Sequence, residues 1–421
     1  MGPIDGAFKQ PLMVAQLPIL AISGRPAFQG GAGEFVGSLK REIERDNLPM
    51  KLVSPQRAYP IMESIRRGHF IRGLTEPVRR WISSFLLRRK VSQFARSSSP
   101  LIIIHPQSLG LDYVMRVLAR RHAPTWFFVL DNWIFCRKAY NSIAGEFRPC
   151  FRCLGNEAEG AALMGCQPPE SFRRGYTIAA EQGFRRLARG GNLRFMVQTR
   201  SQAQLLRKHL GENQKICQIG LEVPDIDSTD GHASESGYDV VYHAAPTWEK
   251  GVGVLFALAR LLPEFTFLGP FEKAAVEQDI ASSSLPRAPN NLHFRGMSWQ
   301  GELRDAVRTA KMVLCPSIWA APVEGAVLKS LAHNGVVALF RGPGQFGEDI
   351  PRDAVVELNA GDFESSAACV RAVLLDQGVR EKLRACAREY IREFKRQNAR
   401  IGHRMCEAIQ YDANGALPAR G

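Results

Sequence analysis

Short apolar runs alternate with helical patterns along this chain. The runs that read as strands are residues 13–20, 51–54, 101–105, 126–130 and 195–198 in the first half, and 240–243, 266–268, 292–295, 312–315 and 336–340 in the second. Strands that alternate with helices form parallel sheets, because each helical crossover returns the chain to the same end of the sheet. The order therefore predicts an α/β protein.

A polar segment divides the two halves. Residues 223–237 are rich in Asp, Ser and Gly and hold few apolar side chains, which is typical of a linker. The length of 421 residues suits two domains of about 100–200 residues each. We expect an amino-terminal domain at 1–222, a linker at 223–237, a carboxyl-terminal domain at 238–400, and a terminal helix end and tail at 401–421.

The chain is strongly basic, with 55 Lys and Arg against 41 Asp and Glu. A nucleotide phosphate, an anionic lipid or a nucleic acid would suit that charge, but no base-reading module is recognisable, which disfavours nucleic acid. The apolar run 12–22 contains Gln16 and Pro18 and lacks a signal-peptide cleavage site, and no stretch approaches the ~18 apolar residues of a membrane helix. We therefore expect a cytoplasmic protein.

The most specific pattern runs from Val313 to Phe340. An apolar strand, a turn with Pro, Glu324, a helix and a second apolar strand follow one another, which predicts a βαβ unit. Open α/β sheets bind ligands outside the carboxyl ends of their strands, where Glu324 would lie. Its carboxylate can accept hydrogen bonds from a sugar. The alternative is a charge that stabilises the helix amino end without a ligand.

Two further segments suit phosphate. Residues 29–34 place Gly30, Gly31 and Gly33 in a loop before a helix that starts near Phe35, and such glycines let backbone N–H groups approach an anion. Lys250 precedes a helix pattern at 252–261. The alternatives are a plain tight turn for the glycines and a solvated cation for Lys250.

These segments resemble the retaining GT-B glycosyltransferases of family 4, also called group 1. Residues 313–340 resemble the signature PSxWxEPFGxxxxEAxA, residues 240–251 resemble GRxxxxKG, and residues 129–133 resemble the strand end VHDxW. The run from 291 to 317, with a glycine after its strand and a final Pro-Ser, resembles the segment that passes under the nucleobase. The resemblance therefore covers most of the second half.

The resemblance implies a GT-B architecture, with two Rossmann-like domains facing a central cleft. It implies transfer of a hexose-type sugar from a nucleotide-sugar donor, with retention, to a saccharide or lipid-linked acceptor, as in polysaccharide biosynthesis. No divalent metal is expected for the transfer, because Lys250, the glycines and helix dipoles would carry the diphosphate charge. The implied catalytic residues are Asp131 and Glu324, and the implied donor-binding residues are Gly30, Gly31, Gly33, Lys250, Arg295, Gly296, Glu324, Gly325 and Lys329.

The chain departs from the family pattern at four positions. Ala321 and Lys329 stand where two glutamates are expected, Ala245 replaces an arginine, and Leu130 replaces a histidine. A cation at position 329 would suit an acidic sugar or a phosphate better than a ribose diol. The departures indicate an unusual donor, or the alternative that the chain is a catalytically impaired glycosyltransferase-like binding protein. For Asp131 the alternative is a structural hydrogen bond or a helix cap, and for Arg295 it is a surface charge.

Four cysteines follow the Asp131 segment: Cys136, Cys150, Cys153 and Cys166. A C-x2-C pair with two flanking thiols supplies the S4 set that zinc or an iron–sulfur centre prefers. In a cytosolic protein this pattern favours metal over disulfides. We expect a structural metal knuckle, and the alternative is a group of free or buried thiols.

A basic segment lies at residues 65–96, where apolar side chains recur at helical spacing from Pro77. Trp and Phe opposite arginines suit an anionic membrane surface, so the chain would reach a lipid-linked acceptor at the inner membrane face. The alternative is a core-facing helix with a solvated side. The residues of this membrane or acceptor surface are Arg79, Arg80, Trp81, Arg88 and Arg89.

Overall fold

A computed structural model describes residues 18–27, 30–55, 89, 92, 97–155, 157–169, 175–191, 193–227, 237–277 and 287–413. Its strands form two six-stranded sheets in which every paired strand is parallel to its neighbour. The first sheet contains β1 (Ile19–Ser23), β2 (Met50–Val53), β3 (Leu101–Ile104), β4 (Thr125–Phe128), β5 (Leu193–Val197) and β6 (Lys215–Gln218). The second contains β7 (Val240–Tyr242), β8 (Phe267–Gly269), β9 (Leu292–Phe294), β10 (Met312–Leu314), β11 (Val337–Phe340) and β12 (Val356–Leu358).

Helices connect the strands. Those around the first sheet are α1 (Gly30–Asp46), α2 (Pro106–Leu109), α3 (Leu111–Leu118), α4 (Glu157–Leu163), α5 (Ile178–Arg189) and α6 (Arg200–Leu210). Those that follow are α7 (Val252–Leu261), α8 (Glu302–Thr309), α9 (Gly325–His333), α10 (Phe363–Leu375), α11 (Gln377–Asn398) and α12 (Ile401–Ala413). None of the described helices combines the length and apolar character needed to cross a bilayer.

Both sheets are buried on both faces, as parallel sheets covered by helices must be. Phe127 and Phe195 belong to the core on one face of the first sheet, and Trp126 and Phe128 to the core on the other. Every residue of β3 is buried, which explains why its apolar run does not alternate with polar residues. The predicted α/β class with parallel sheets is confirmed.

The strand order fixes where loops converge. The first sheet has the order β2-β1-β3-β4-β5-β6, and the second has β12-β11-β10-β7-β8-β9. The direction of strand addition reverses between β1 and β3 and between β10 and β7, and open α/β sheets bind ligands at such switch points. The loops after these four strands are therefore the expected site.

The carboxyl-terminal helical stretch is interrupted. The residues from Arg380 to Gln410 are charged and follow a helical pattern in sequence, but α11 ends at Asn398, Arg400 adopts a φ of 57°, and α12 begins at Ile401. Helix α12 then packs on the first sheet, where its side chains Ile401, Met405 and Ile409 join the core around Trp126. Two backbone N–H groups at its amino end donate to the carboxylate of Glu42 on α1.

Candidate functional site

A cavity of about 550 Å³ lies at the switch points of the two sheets. Arg25 and His105 reach it from the ends of β1 and β3, and Lys250 and Ser317 reach it from the loops after β7 and β10. Its volume falls within the range of about 300–1,000 Å³ that small-molecule sites occupy. The cleft that strand order alone predicts is therefore present.

Two helix amino ends face this cavity. Gly31 in α1 and Gly325 in α9 both line it. The glycine loop that we predicted before α1 is not a loop, because the helix already begins at Gly30 and its first turn includes Gly31 and Gly33. Burial of Phe35 and Leu39 holds this turn against the core, so its N–H groups keep the positive end of the helix dipole directed at the cavity.

Lys250 and Glu324, which we predicted separately, contact each other. The Nζ atom of Lys250 donates to Oε1 of Glu324, and the Ser317 hydroxyl donates to the same oxygen at 2.6 Å. Lys250 Nζ also lies 5.0 Å from the ring centroid of Trp319, in cation–π geometry. The indole Nε1 of Trp319 is buried and has no hydrogen-bond partner among the described residues. These four side chains supply donors and one carboxylate to a single wall of the cavity.

The loop that carries Lys250 is tightly fixed. The Tyr242 hydroxyl donates to the carbonyl oxygens of Ala245 at 2.7 Å and Lys250 at 2.9 Å. Gly251 adopts a φ of 78°, and a Cβ atom there would stand 2.0 Å from the carbonyl oxygen of Pro316. Only glycine satisfies both conditions without a shift of the backbone.

Asp131 lines the opposite side of the cavity, on the first sheet. Its carboxylate accepts hydrogen bonds from Gln107 Nε2 at 2.9 and 3.0 Å and from the backbone of Trp133 at 3.0 Å. Burial nevertheless raises the pKa of Asp131 to about 6. His105 Nε2 lies 3.8 Å from the carboxylate, and burial lowers the pKa of this histidine to about 3. The pair therefore combines a neutral imidazole with a carboxyl group that titrates near neutrality.

Lys329 lies beside the cavity and is buried. Its Nζ atom is 3.7 Å from Oε2 of Glu34 on α1 and 5.4 Å from the ring centroid of Trp299. The imidazole of His243 stacks on the same indole at 4.9 Å. Burial, together with the charge of Lys329, lowers the pKa of His243 to about 3. A cation at this position is thus held by one carboxylate and one aromatic ring.

Of the predicted donor-binding residues, Gly31, Lys250, Glu324 and Gly325 line the cavity, whereas Gly33, Lys329, Arg295 and Gly296 are not part of its lining. Arg295 is exposed and pairs with Glu302 at 2.6 Å. A Cβ atom at Gly296 would stand 2.2 Å from the Glu272 carboxylate. Both residues follow β9 in the second sheet. Their contact with a nucleobase stays a prediction.

The four cysteines of the predicted knuckle line one smaller cavity of about 20 Å³. Burial raises the pKa of the Cys136 thiol to about 12 and that of Cys153 to about 11, and the neighbouring cysteines raise both further. Among the described residues, one group of three His, Cys, Asp or Glu side chains has all its ligand atoms within 4.8 Å of one another, and it is Glu42, Asp46 and His403. No three of the four cysteine sulfurs lie that close together. The sulfur atoms thus share a cavity but stand farther apart than in a closed metal site.

The predicted membrane or acceptor surface falls almost wholly outside the described residues. Arg79, Arg80, Trp81 and Arg88 are not described, and Arg89 is an exposed helical residue. Sequence reasoning missed His105, Ser317 and Trp319 as residues of the site. His105 is the last residue of the predicted strand 101–105, and Ser317 and Trp319 follow the predicted strand 312–315. A position at the carboxyl end of a strand is the signal that could have identified them.

No family model and no curated protein matches the sequence. Solved structures do match. Sucrose-phosphate synthase from Thermosynechococcus elongatus gives a TM-score of 0.61 at 13% identity, covering 95% of this chain and 100% of that one. The fold is GT-B. An α,α-trehalose-phosphate synthase from Burkholderia xenovorans, in complex with glucose-6-phosphate, gives 0.58 at 13% identity over 93% of this chain and 100% of that one.

A third GT-B neighbour is HepE from Anabaena in complex with UDP and glucose. It gives a TM-score of 0.55 at 14% identity, covering 94% of this chain and 100% of that one. The same protein matches in complex with UDP-glucose. The predicted GT-B architecture, with two Rossmann-like domains facing a cleft, is therefore confirmed.

Proposed function

We propose that this protein is a glycosyltransferase that moves a sugar from a nucleotide-sugar donor bound in the cleft. The observation that carries the proposal is the convergence of two helix amino ends with Lys250, Ser317 and Glu324 on one cavity at the switch points of a GT-B fold. Structural neighbours of the fold include HepE in complex with UDP-glucose. Positive helix ends and a lysine suit a diphosphate.

The paired Lys250 and Glu324 suggest how a donor would be held. Lys250 is a quarter exposed, so its ammonium group can contact a diphosphate while its stem stays against Trp319. Glu324 would then accept hydrogen bonds from sugar hydroxyls, with Ser317 fixing the carboxylate. The free indole N–H of Trp319 adds one donor to the same wall. No divalent metal enters this arrangement.

Asp131 is the residue we propose on the acceptor side. A pKa of about 6 leaves it mostly ionised at neutral pH, so it can accept the proton of the acceptor hydroxyl. In the same step the bond from the sugar carbon to the diphosphate breaks, the glycosidic bond forms and the nucleoside diphosphate leaves. Retention at the sugar carbon and a saccharide or lipid-linked acceptor complete the proposal, and they rest on the family resemblance. The proposed place is the cytoplasm, with peripheral contact at the inner membrane face through the basic segment.

A donor screen tests the proposal. UDP-, GDP- and ADP-sugars would each be added to the purified chain, with the melting temperature and the release of nucleotide diphosphate as readouts. We expect one donor class to raise the melting temperature and to be turned over. Lys250→Ala should lower turnover by about 10²–10³-fold, the loss typical of one charge-stabilising group. Lys382→Ala, which removes an exposed lysine on α11, is the matched control and should leave turnover unchanged.

The departures at Leu130, Ala245, Ala321 and Lys329 give the same screen a second use. Saturable donor binding without turnover, with or without saccharide acceptors, would contradict the transferase and identify a glycosyltransferase-like binding protein. Absence of binding by every donor would contradict both.

A further inference from the structure

We propose that Cys136, Cys150, Cys153 and Cys166 bind a single zinc ion. All four side chains line the cavity of about 20 Å³ described above. This cavity is separate from the donor cleft, because none of the four lines the larger cavity. The ion would therefore be structural, and it would be present whether or not the cleft transfers sugars.

The chemistry of the lining selects the ion. The cavity residues with metal-binding side chains are the four cysteines and Met164, with no carboxylate and no imidazole among them. Soft sulfur donors in a set of four favour zinc or an iron–sulfur centre. The cavity is only slightly larger than the space one water molecule needs, about 10–15 Å³, and a space of that size suits one ion better than a cluster of several irons and sulfides.

The backbone brings the cysteines together from separate segments. Cys150 and Cys153 lie on either side of a turn, and α4 packs closely against it. A Cβ atom at Gly160 of α4 would stand 2.5 Å from the carbonyl oxygen of Arg152. After α4 the chain turns back toward this helix, and the backbone N–H of Cys166 donates to the carbonyl oxygen of Ala161 at 2.9 Å. Gly160 therefore permits the approach that places Cys166 over the C-x2-C turn.

This part of the chain lacks regular structure to hold it. Residues 129–155 contain neither helix nor strand, although Phe135 is fully buried within them. Long irregular segments inside a compact domain are uncommon unless something specific fixes them. A metal ion bound by four side chains of such a segment is a common way to fix its conformation.

Zinc binding would draw the sulfur atoms inward. Tetrahedral zinc with bonds of about 2.3 Å holds its sulfur ligands about 3.8 Å apart, and no three of these sulfurs lie within 4.8 Å of one another. Each thiol that binds releases its proton to solvent, so up to four protons leave as the four Zn–S bonds form.

The same segment contacts the second sheet. Asn141 Oδ1 accepts from the backbone of Ala320 at 3.0 Å, and Trp248 Nε1 donates to the carbonyl oxygen of Ile143 at 3.0 Å. The ring of Tyr140 contacts Trp319 edge-on at 4.5 Å. The ion would thus fix a loop that touches both ligand-binding loops of the second sheet.

Metal analysis tests the site. The full chain, produced in medium with zinc and iron and purified without chelator, should contain about one zinc per chain and less than ~0.1 iron. Cys150→Ser with Cys153→Ser should lower bound zinc at least tenfold. Cys217→Ser with Cys369→Ser removes two cysteines elsewhere and should leave zinc unchanged. Cobalt bound in place of zinc should give the absorption spectrum of tetrahedral thiolate coordination.

The wild-type chain keeps the test decisive if the double variant fails to fold. After removal of metal under reducing conditions, added zinc should raise the melting temperature and slow the reaction of four thiols with a thiol reagent. A metal-free chain whose thiols react equally fast with and without zinc would overturn the proposal. Iron with acid-labile sulfide would overturn the assignment of a single zinc ion.

Discussion

Single residues at the cleft are held in conformations or charge states that folding alone does not favour. Asp131 has a buried carboxylate, and Gln107 Oε1 beside it is buried without a hydrogen-bond partner among the described residues. Gly251 combines positive φ with close approach to Pro316. Both arrangements adjoin or include residues that line the cavity, namely Asp131, Lys250 and Ser317, where binding groups must be placed accurately at a cost in stability.

Asp131→Asn should stabilise the fold. The folded-state pKa of about 6 lies above the ordinary value of 3.8, so between these values the folded chain keeps a proton that the unfolded chain has lost. The free energy of unfolding therefore falls as pH rises through this window, and the cost is complete at pH 7. Asparagine removes that cost, and rotation of the Gln107 amide lets its Oε1 accept from the new side-chain N–H, for a gain of about 1–3 kcal/mol at pH 7.

Urea unfolding of wild type and Asp131→Asn between pH 4 and 8 measures this difference. The gap should widen with pH up to about 6 and then stay constant. The Asp131→Asn variant should also lose the proposed transferase activity. Asp305→Asn, at an exposed position on α8, should show no such gap. A gap that shrinks with rising pH would contradict the assignment.

Gly251→Ala should destabilise the chain more than strain in φ alone explains. Positive φ costs an alanine about 1–2 kcal/mol, and the contact with the Pro316 carbonyl adds a shift of the loop that carries Lys250. Gly361→Ala is the matched control, because Gly361 has a φ of 95° with nothing within 4 Å of the added Cβ. Equal losses of unfolding free energy for the two variants would show that the Pro316 contact relaxes freely.

Individual elements were predictable where burial dominates their sequence. Strand β3, with every residue buried, was found within one residue of its ends. Strand β1 is equally buried but was misplaced, because the predicted run 13–20 shares only Ile19 and Leu20 with the strand Ile19–Ser23. Strands β6 and β12 were missed, because they lie at sheet edges, are short, and carry exposed polar residues. The start of α1 was misplaced because three glycines in a first turn resemble a loop.

The contents of the site were partly predictable for the same reason. Lys250 and Glu324 could be located at strand ends from sequence. Their mutual ion pair could not, because it depends on the distance between two loops that lie far apart in the chain.

Helix α12 depends on one carboxylate of α1. Glu42 accepts hydrogen bonds from the backbone of Gly402 at 2.9 Å and His403 at 3.2 Å. Glu42→Ala should cost about 1–2 kcal/mol, because it removes a charged cap from a buried helix amino end. Glu44→Ala, at an exposed position on the same helix, should cost little. Hydrogen exchange of residues 401–413 should accelerate in the first variant alone, and equal exchange would contradict the capping role.

At the scale of the whole molecule, the two sheets are joined by buried polar contacts. Asn132 Nδ2 donates to Asn141 Oδ1 at 2.8 Å and to the carbonyl oxygen of Ala320 at 2.7 Å, and Asn141 also accepts from the backbone of Ala320. Buried polar groups that lose their partners cost about 1–3 kcal/mol each. The cysteine-bearing segment therefore couples one half of the molecule to the other.

Asn141→Ala should uncouple the two halves. We expect urea unfolding to broaden or separate into two transitions, because contacts between the halves are lost while each core stays intact. Asn334→Ala is the matched control, since Asn334 is also buried but donates to Val307 and Ala310 within the second half. It should lower stability while a single transition is kept. A single sharp transition for Asn141→Ala would contradict the coupling.

The return of α12 to the first sheet has a consequence for biosynthesis. The face of that sheet that contains Trp126 and Phe128 is completed by Ile401, Met405 and Ile409, which the ribosome adds only after the whole second sheet. The first half therefore emerges with an unfinished core and an apolar face exposed to the cell. Translation speed and chaperone binding during synthesis of residues 238–400 should affect the yield of folded protein more than they would for two independently folding domains.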